Sequence, residues 1–322
     1  MLITRLKHVV SNDLNKVDKL IMSSLYSDIP LIQDIGKYII NGGGKRLRPL
    51  LVLISANACG YSGEQQVILA AVIEFIHTAT LLHDDVVDGS MLRRGNATAN
   101  NKWGNEAAVL VGDFLYSRAF QLMVTTKNIE VLRIIANATN TIAEGEVLQL
   151  LYQHNPETSE KNYLHVIRCK TAKLFEAAAE VGAVLANTPP HIQQALAQYG
   201  LHIGTAYQLI DDLLDYQSDS EEFGKALGND LAEGKPTLPL IYLLQHGSAE
   251  QKVLVTGAIS NPSGSNLHAV QHAIMNSGAL EYTLAFAKRE IDLAKQAISE
   301  LEASAHKNTA LDLADFVINR DH

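Results

Sequence analysis

Apolar positions recur every three or four residues along most of the chain. Leu69, Val72, Ile73, Ile76, Ala79 and Thr80 fall on one helical face. Ala-, Leu- and Glu-rich segments, such as 173–186 and 283–303, carry the same period towards the end. No proline stands between Pro49 and Pro156, so helices there can run uninterrupted. Loops are marked by Gly42-Gly43-Gly44, Asn155-Pro156, Thr188-Pro189-Pro190 and Asn261-Pro262-Ser263-Gly264. There is no alternating run bounded by hairpin turns, no βαβ rhythm and no low-complexity linker. The pattern predicts an all-α protein, with residues 1–322 forming a single domain of antiparallel helices.

Composition narrows the function. With 322 residues, 47% hydrophobic and 19% charged, the chain is neither disordered nor a coiled-coil rod. A net charge of −9 argues against a nucleic-acid partner. Cys59 and Cys169 are too few for a disulfide framework and are not spaced as a zinc site. The first ten residues meet polar Ser11-Asn12-Asp13 before a signal-peptide core can form, and no apolar run approaches ~18 residues. A cytoplasmic protein without a transmembrane segment is expected.

The chemistry concentrates in two acidic clusters. In Leu82-His83-Asp84-Asp85-Val86-Val87-Asp88-Gly89, Asp84 and Asp88 are one helical turn apart and share a face. Three carboxylates so close repel one another unless a cation sits among them. The same triplet returns as Asp211-Asp212-Leu213-Leu214-Asp215 on an equally apolar segment. Carboxylate oxygens favour hard cations, and Mg²⁺ takes one or two of them plus phosphate oxygens. An EF-hand is excluded, because its loop pattern is absent.

A phosphate also needs cations. Gly42-Gly43-Gly44-Lys45-Arg46-Leu47-Arg48-Pro49 sets flexible backbone before three of them, without the spacing of a P-loop. Arg93-Arg94-Gly95 follows the first cluster; Lys170-Thr171, Gly224-Lys225 and Gly234-Lys235-Pro236 lie downstream.

Together GGGKRLRP, LLHDDVVDGSMLRRG, KTAKLFEAA, YQLIDDLLD and GKPTLPL resemble the trans-isoprenyl diphosphate synthases, in particular their long-chain, octaprenyl-type branch. The resemblance implies a homodimer of the isoprenoid synthase fold, with a central cavity lined by both clusters and about two to three Mg²⁺ per active site. It implies that Asp84, Asp88, Asp211 and Asp215 bind metal, with Asp85, Asp212 and Lys170 also catalytic. Gly44, Lys45, Arg48, His77 and Arg94 would take isopentenyl diphosphate. Arg93, Lys170, Thr171, Gln208, Lys225 and Lys235 would take the allylic diphosphate. His77 lies two turns before Asp84, on its face. Asn229 departs from the two consecutive acids many relatives carry, and the terminal Arg320 resembles the family's basic tail.

The implied reaction is ionisation of the allylic diphosphate followed by alkylation of isopentenyl diphosphate. Small residues at Ala79 and Thr80 would let the product grow past the first cluster, with Met123 or Phe120 as a floor. A long-chain, most simply octaprenyl, product for quinone side chains is expected. A farnesyl- or geranylgeranyl-length product, and a non-catalytic regulatory subunit, stay open as alternatives. A terpene cyclase fits less well, since it has no second diphosphate to bind.

Overall fold

A computed structural model describes residues 2–217, 229–264 and 267–320. In chain order the helices are α1 (Leu2–Val9), α2 (Ser11–Ser24), α3 (Pro30–Asn41), α4 (Leu47–Ala58) and α5 (Gln65–Val87). A short hairpin, β1 (Leu92–Arg93) and β2 (Asn96–Ala97), precedes α6 (Ala99–Trp103), α7 (Asn105–Thr125), α8 (Ile129–Tyr152) and α9 (Glu160–Ile167). A π-helical turn, Arg168–Ala172, leads into α10 (Lys173–Leu185) and α11 (Pro190–Gln217). Then follow α12 (Asn229–Ala232), α13 (Leu238–His246), α14 (Ala249–Ser260), α15 (Leu267–Met275), α16 (Ala279–Ala297) and α17 (Ala305–Ile318). The protein is all-α, as its pattern predicts. The hairpin is the exception, and its two-residue strands are too short for alternation to register.

Prolines act as helix starters. Pro30 opens α3, Pro190 opens α11 and Pro239 sits in the first turn of α13, where a missing N–H costs nothing. Ser159 caps α9, and Ser248 with Gln251 forms a capping box on α14. α16 stops at Ala297, short of the expected 303. Lys307 collects the carbonyls released beyond it, donating to Ser299 O (2.7 Å) and Leu301 O (2.5 Å).

The residues group into two compact units. The first comprises 1–139, 174–200 and 298–313. Its axis is α5, apolar on all sides and packed against α2, α4 and α7. The second comprises 140–173, 201–297 and 314–322. There α13 packs on α14 and α16, and Leu213, Tyr216, Leu240, Val255, Val270 and Leu280 share a core. Two helices, α5 and α7, have the length and apolarity of a membrane span, and α5 owes both to being a core helix.

Candidate active site

In the first unit, α5 ends on its acidic cluster. Gly89, at φ 63°, turns the chain. Its N–H donates to Val86 O (3.3 Å) and that of Ser90 to Asp85 O (2.9 Å), a Schellman closure. Asp84 and Asp88 are half-buried and one turn apart. They lie where helix carbonyls already contribute partial negative charge, so a cation is doubly favoured.

Asp85 behaves differently. Its carboxylate is 1% exposed and takes Arg93 Nε at 2.9 Å and Nη2 at 2.7 Å. Burial pushes its pKa up, Arg93 pulls it down, and Asp84 and Asp88 push it up again. Asn100 Nδ2 donates to Asp85 O (3.1 Å) and Ser90 O (3.2 Å), fixing the turn. The inner aspartate therefore anchors Arg93, while the outer two are half-buried beside it in the chain.

The glycine loop gathers cations in the same unit. A side chain on Gly44 would put its Cβ 2.9 Å from Arg94 Nη1, so glycine lets the guanidinium lie against the backbone. Arg48 stands 3.1 Å from His77 Nε2 and 4.4 Å over the Phe175 ring. Burial holds the His77 pKa well below its ordinary value, helped by Arg48, Arg94, Arg93 and Arg46. A neutral imidazole ringed by guanidiniums marks a place that wants an anion. Arg46 is the structural member of the loop, paired with Glu74 and donating to Ile40 O at 3.2 Å. Among the expected length-setting residues, Ala79 and Met123 are buried, and Thr80 is half-buried with its hydroxyl on His77 O (2.8 Å). Phe120, by contrast, is exposed.

In the second unit the triplet lies near the end of α11. Asp212 is 2% exposed and accepts from the Tyr163 hydroxyl and from Gln208 Nε2 at 2.8 Å. Burial, then Asp230, drives its pKa well above the carboxylate range, and burial raises Tyr163 as well. Thr171 Oγ1 donates to Gln208 Oε1 at 2.9 Å, extending the chain of hydrogen bonds. Asp215 accepts the Asp230 N–H at 3.2 Å. Asp211 is bound by Arg320 Nη2 at 2.5 Å; that guanidinium also donates to Tyr207 O (2.7 Å) and lies 3.7 Å over the Tyr207 ring.

Two further basic residues sit on acids of their own unit. Lys170 pairs with Glu146 at 2.6 Å and Lys235 with Glu233 at 2.5 Å. Lys225 lies outside the described residues.

Among the described residues no three His, Cys, Asp or Glu side chains converge into a metal cage. That suits an ion which takes one or two protein carboxylates and fills its octahedron with water and phosphate oxygens. The half-buried pairs Asp84/Asp88 and Asp211/Asp215 provide such a donor set for Mg²⁺.

Residues 29–276 match the family model described as polyprenyl synthetase. The chain belongs to the polyprenyl synthetase family. It is a prenyltransferase, as its motifs imply. The octaprenyl diphosphate synthase of Escherichia coli K12 is 47% identical over 322 residues, all of both chains. That of Haemophilus influenzae is 46% identical over all of this chain and 98% of its own. A solved polyprenyl synthase from Caulobacter crescentus CB15, complexed with calcium and isoprenyl diphosphate, superposes with a TM-score of 0.95 at 43% identity. That match covers 99% of this chain and 98% of the other.

Several residues of this polyprenyl synthetase escape sequence reasoning. Tyr163 and Asp230 condition Asp212 from distant helices, and Glu146 holds Lys170, with no local signal. Arg320 is legible in the sequence only as a basic tail; the structure pairs it with Asp211.

Proposed function

We propose that this prenyltransferase condenses isopentenyl diphosphate repeatedly onto an allylic diphosphate, farnesyl in the simplest case, to make an octaprenyl-length chain for quinone side chains. The observation that carries the reading is the duplicated acidic turn. Twice, a long apolar helix ends by leaving an outer carboxylate pair half-buried and turning the middle one inward. Full-length identity to octaprenyl diphosphate synthases supports the product length.

Asp84, Asp88, Asp211 and Asp215 would hold two to three Mg²⁺ ions. When bound, Mg²⁺ neutralises diphosphate charge and makes the diphosphate a better leaving group. Lys45, Arg48, Arg94 and the Gly44 backbone bind the isopentenyl diphosphate, with neutral His77 among them. Arg93, Lys170, Thr171, Gln208, Lys225 and Lys235 bind the allylic diphosphate. The allylic C–O bond breaks, leaving a carbocation and free diphosphate. The isopentenyl double bond attacks that cation, forming the new C–C bond. The C2 proton then passes to the released diphosphate. Apolar walls exclude the water that would trap the cation, and Ala79, Thr80 and Met123 set how far the product extends.

The two units act as one synthase domain in a cytoplasmic homodimer. The apolar stripe Leu110, Phe120 and Val124, exposed on α7, supports pairing with a second copy.

Purified protein with Mg²⁺, farnesyl diphosphate and isopentenyl diphosphate is expected to yield a C40 product by mass spectrometry, abolished by chelator. A C20 end product would overturn the length, and no chelator-sensitive consumption would favour the regulatory subunit.

A further inference from the structure

The π-helical turn Arg168–Ala172 presents Lys170 and Thr171, two of the groups assigned above to the allylic diphosphate. Such turns carry one residue more per hydrogen-bonded loop than the α-helix and persist only where their surroundings hold them. Here nearly every residue has a separate anchor. A side chain on Gly145 of α8 would place its Cβ 2.8 Å from Cys169 Cβ and Lys170 N, so glycine lets α8 press directly on the turn. The next residue of α8, Glu146, holds Lys170, and Gln208 of α11 holds Thr171.

The fourth anchor is Glu290 on α16, a carboxylate 3% exposed that no step of the reaction uses. Its Oε1 accepts from Arg168 Nη2 at 3.2 Å, at the first residue of the turn. Its Oε2 meets His202 Nδ1 at 2.5 Å, on the helix that continues to Gln208 and Asp211. The turn and α11 are therefore braced twice: directly through Thr171–Gln208, and through Glu290. Residues 202 and 208 are about 9 Å apart along the helix axis, so the two braces are well separated and together resist rotation of the turn.

We infer that Glu290 is a positioning residue: by bridging Arg168 to His202 it fixes the π turn against α11, so that Lys170 and Thr171 are held ready for the allylic diphosphate. This rests on the assignment of Lys170 and Thr171 made above. A buried carboxylate is costly to keep, and losing one partner leaves the other charge stranded. Glu290 is retained with two partners, one on each element it joins.

The test is steady-state kinetics on the full chain. Glu290→Gln is expected to raise the allylic diphosphate KM on the order of tenfold, because small misplacements of a binding group are costly. The isopentenyl diphosphate KM should stay within about twofold, since its proposed groups lie on other elements. Arg168→Gln should reproduce the split, and the double variant should do no worse than the poorer single, as expected for members of one bridge. Lys170→Ala serves as benchmark. If Lys170→Ala raises the allylic KM while Glu290→Gln and Arg168→Gln lower only thermal stability, or move both KM values alike, the inference is overturned. If Lys170→Ala leaves the allylic KM unchanged, the assignment itself fails and takes this inference with it.

Discussion

The two acidic clusters have the same spacing and different neighbourhoods. At the end of α5 the inner aspartate, Asp85, is held by a cation, Arg93, in a unit where Arg48 and Arg94 also converge on His77. Near the end of α11 the inner aspartate, Asp212, is held by neutral donors, Tyr163 and Gln208, with Asp230 as a further acid nearby. Spacing decides which carboxylates share a face. Neighbours decide how the buried one is held. In both clusters the middle acid is buried and the outer pair half-buried, but the middle acid is held ionically in one and by neutral hydrogen-bond donors in the other.

The largest expected effect tests what the clusters share. Asp84→Asn and Asp211→Asn are each expected to lower turnover by about 10²–10³, the usual loss when one stabiliser of developing charge is removed, with melting temperatures close to the parent. Incorporation of isopentenyl diphosphate at saturating Mg²⁺ measures it. Near-parental turnover in Asp211→Asn alone would break the parallel and leave the second triplet a structural feature paired with Arg320.

The next effect tests how they differ. Asp85→Asn strands Arg93 and is expected to cost about 2–3 kcal/mol in urea unfolding, towards the low end for a broken buried pair because Arg93 keeps some solvent. Asp212→Asn should be nearly neutral. The folded pKa of Asp212 is raised, so the stability it contributes is present below the unfolded value of about 4 and is lost as pH rises through the folded value. Asparagine can still accept from Gln208 through Oδ1, has to donate from Nδ2 to the Tyr163 oxygen instead of accepting from it, and removes that loss, so the variant should stay close to the parent at neutral pH. Equal destabilisation by both substitutions would show that charge does not distinguish the clusters.

Much of this was legible in the sequence because it is local. The helical period, the prolines at helix starts, the one-turn spacing of Asp84 and Asp88, and the glycines before Lys45 all express short-range geometry. What stayed hidden depends on residues far apart in the chain. Nothing near Asp85 says that it, and not Asp84, will turn inward to Arg93. Nothing near Lys170 names Glu146, and Arg320 reaches Asp211 only because α17 returns the terminus to α11. The hairpin carrying Arg93 was missed because two-residue strands have no period.

His77 gives the smallest and most discriminating effect. Its folded pKa is depressed, so its contribution to stability is complete above the unfolded value of about 6.5 and is lost as pH falls towards the folded value. Between those limits the unfolded chain takes a proton the folded chain refuses, which removes about 1.4 kcal/mol per pH unit. His77→Gln should flatten the stability profile below about pH 6.5 by that slope, a sign opposite to that of Asp212 in the other unit. Isopentenyl diphosphate would offset the arginines that suppress the proton, so the imidazole pKa followed by NMR should rise on binding. A ring that titrates near 6.5 in the free protein would mean that the guanidiniums do not converge on it. The anion site assigned to the first unit would then lose its main electrostatic support.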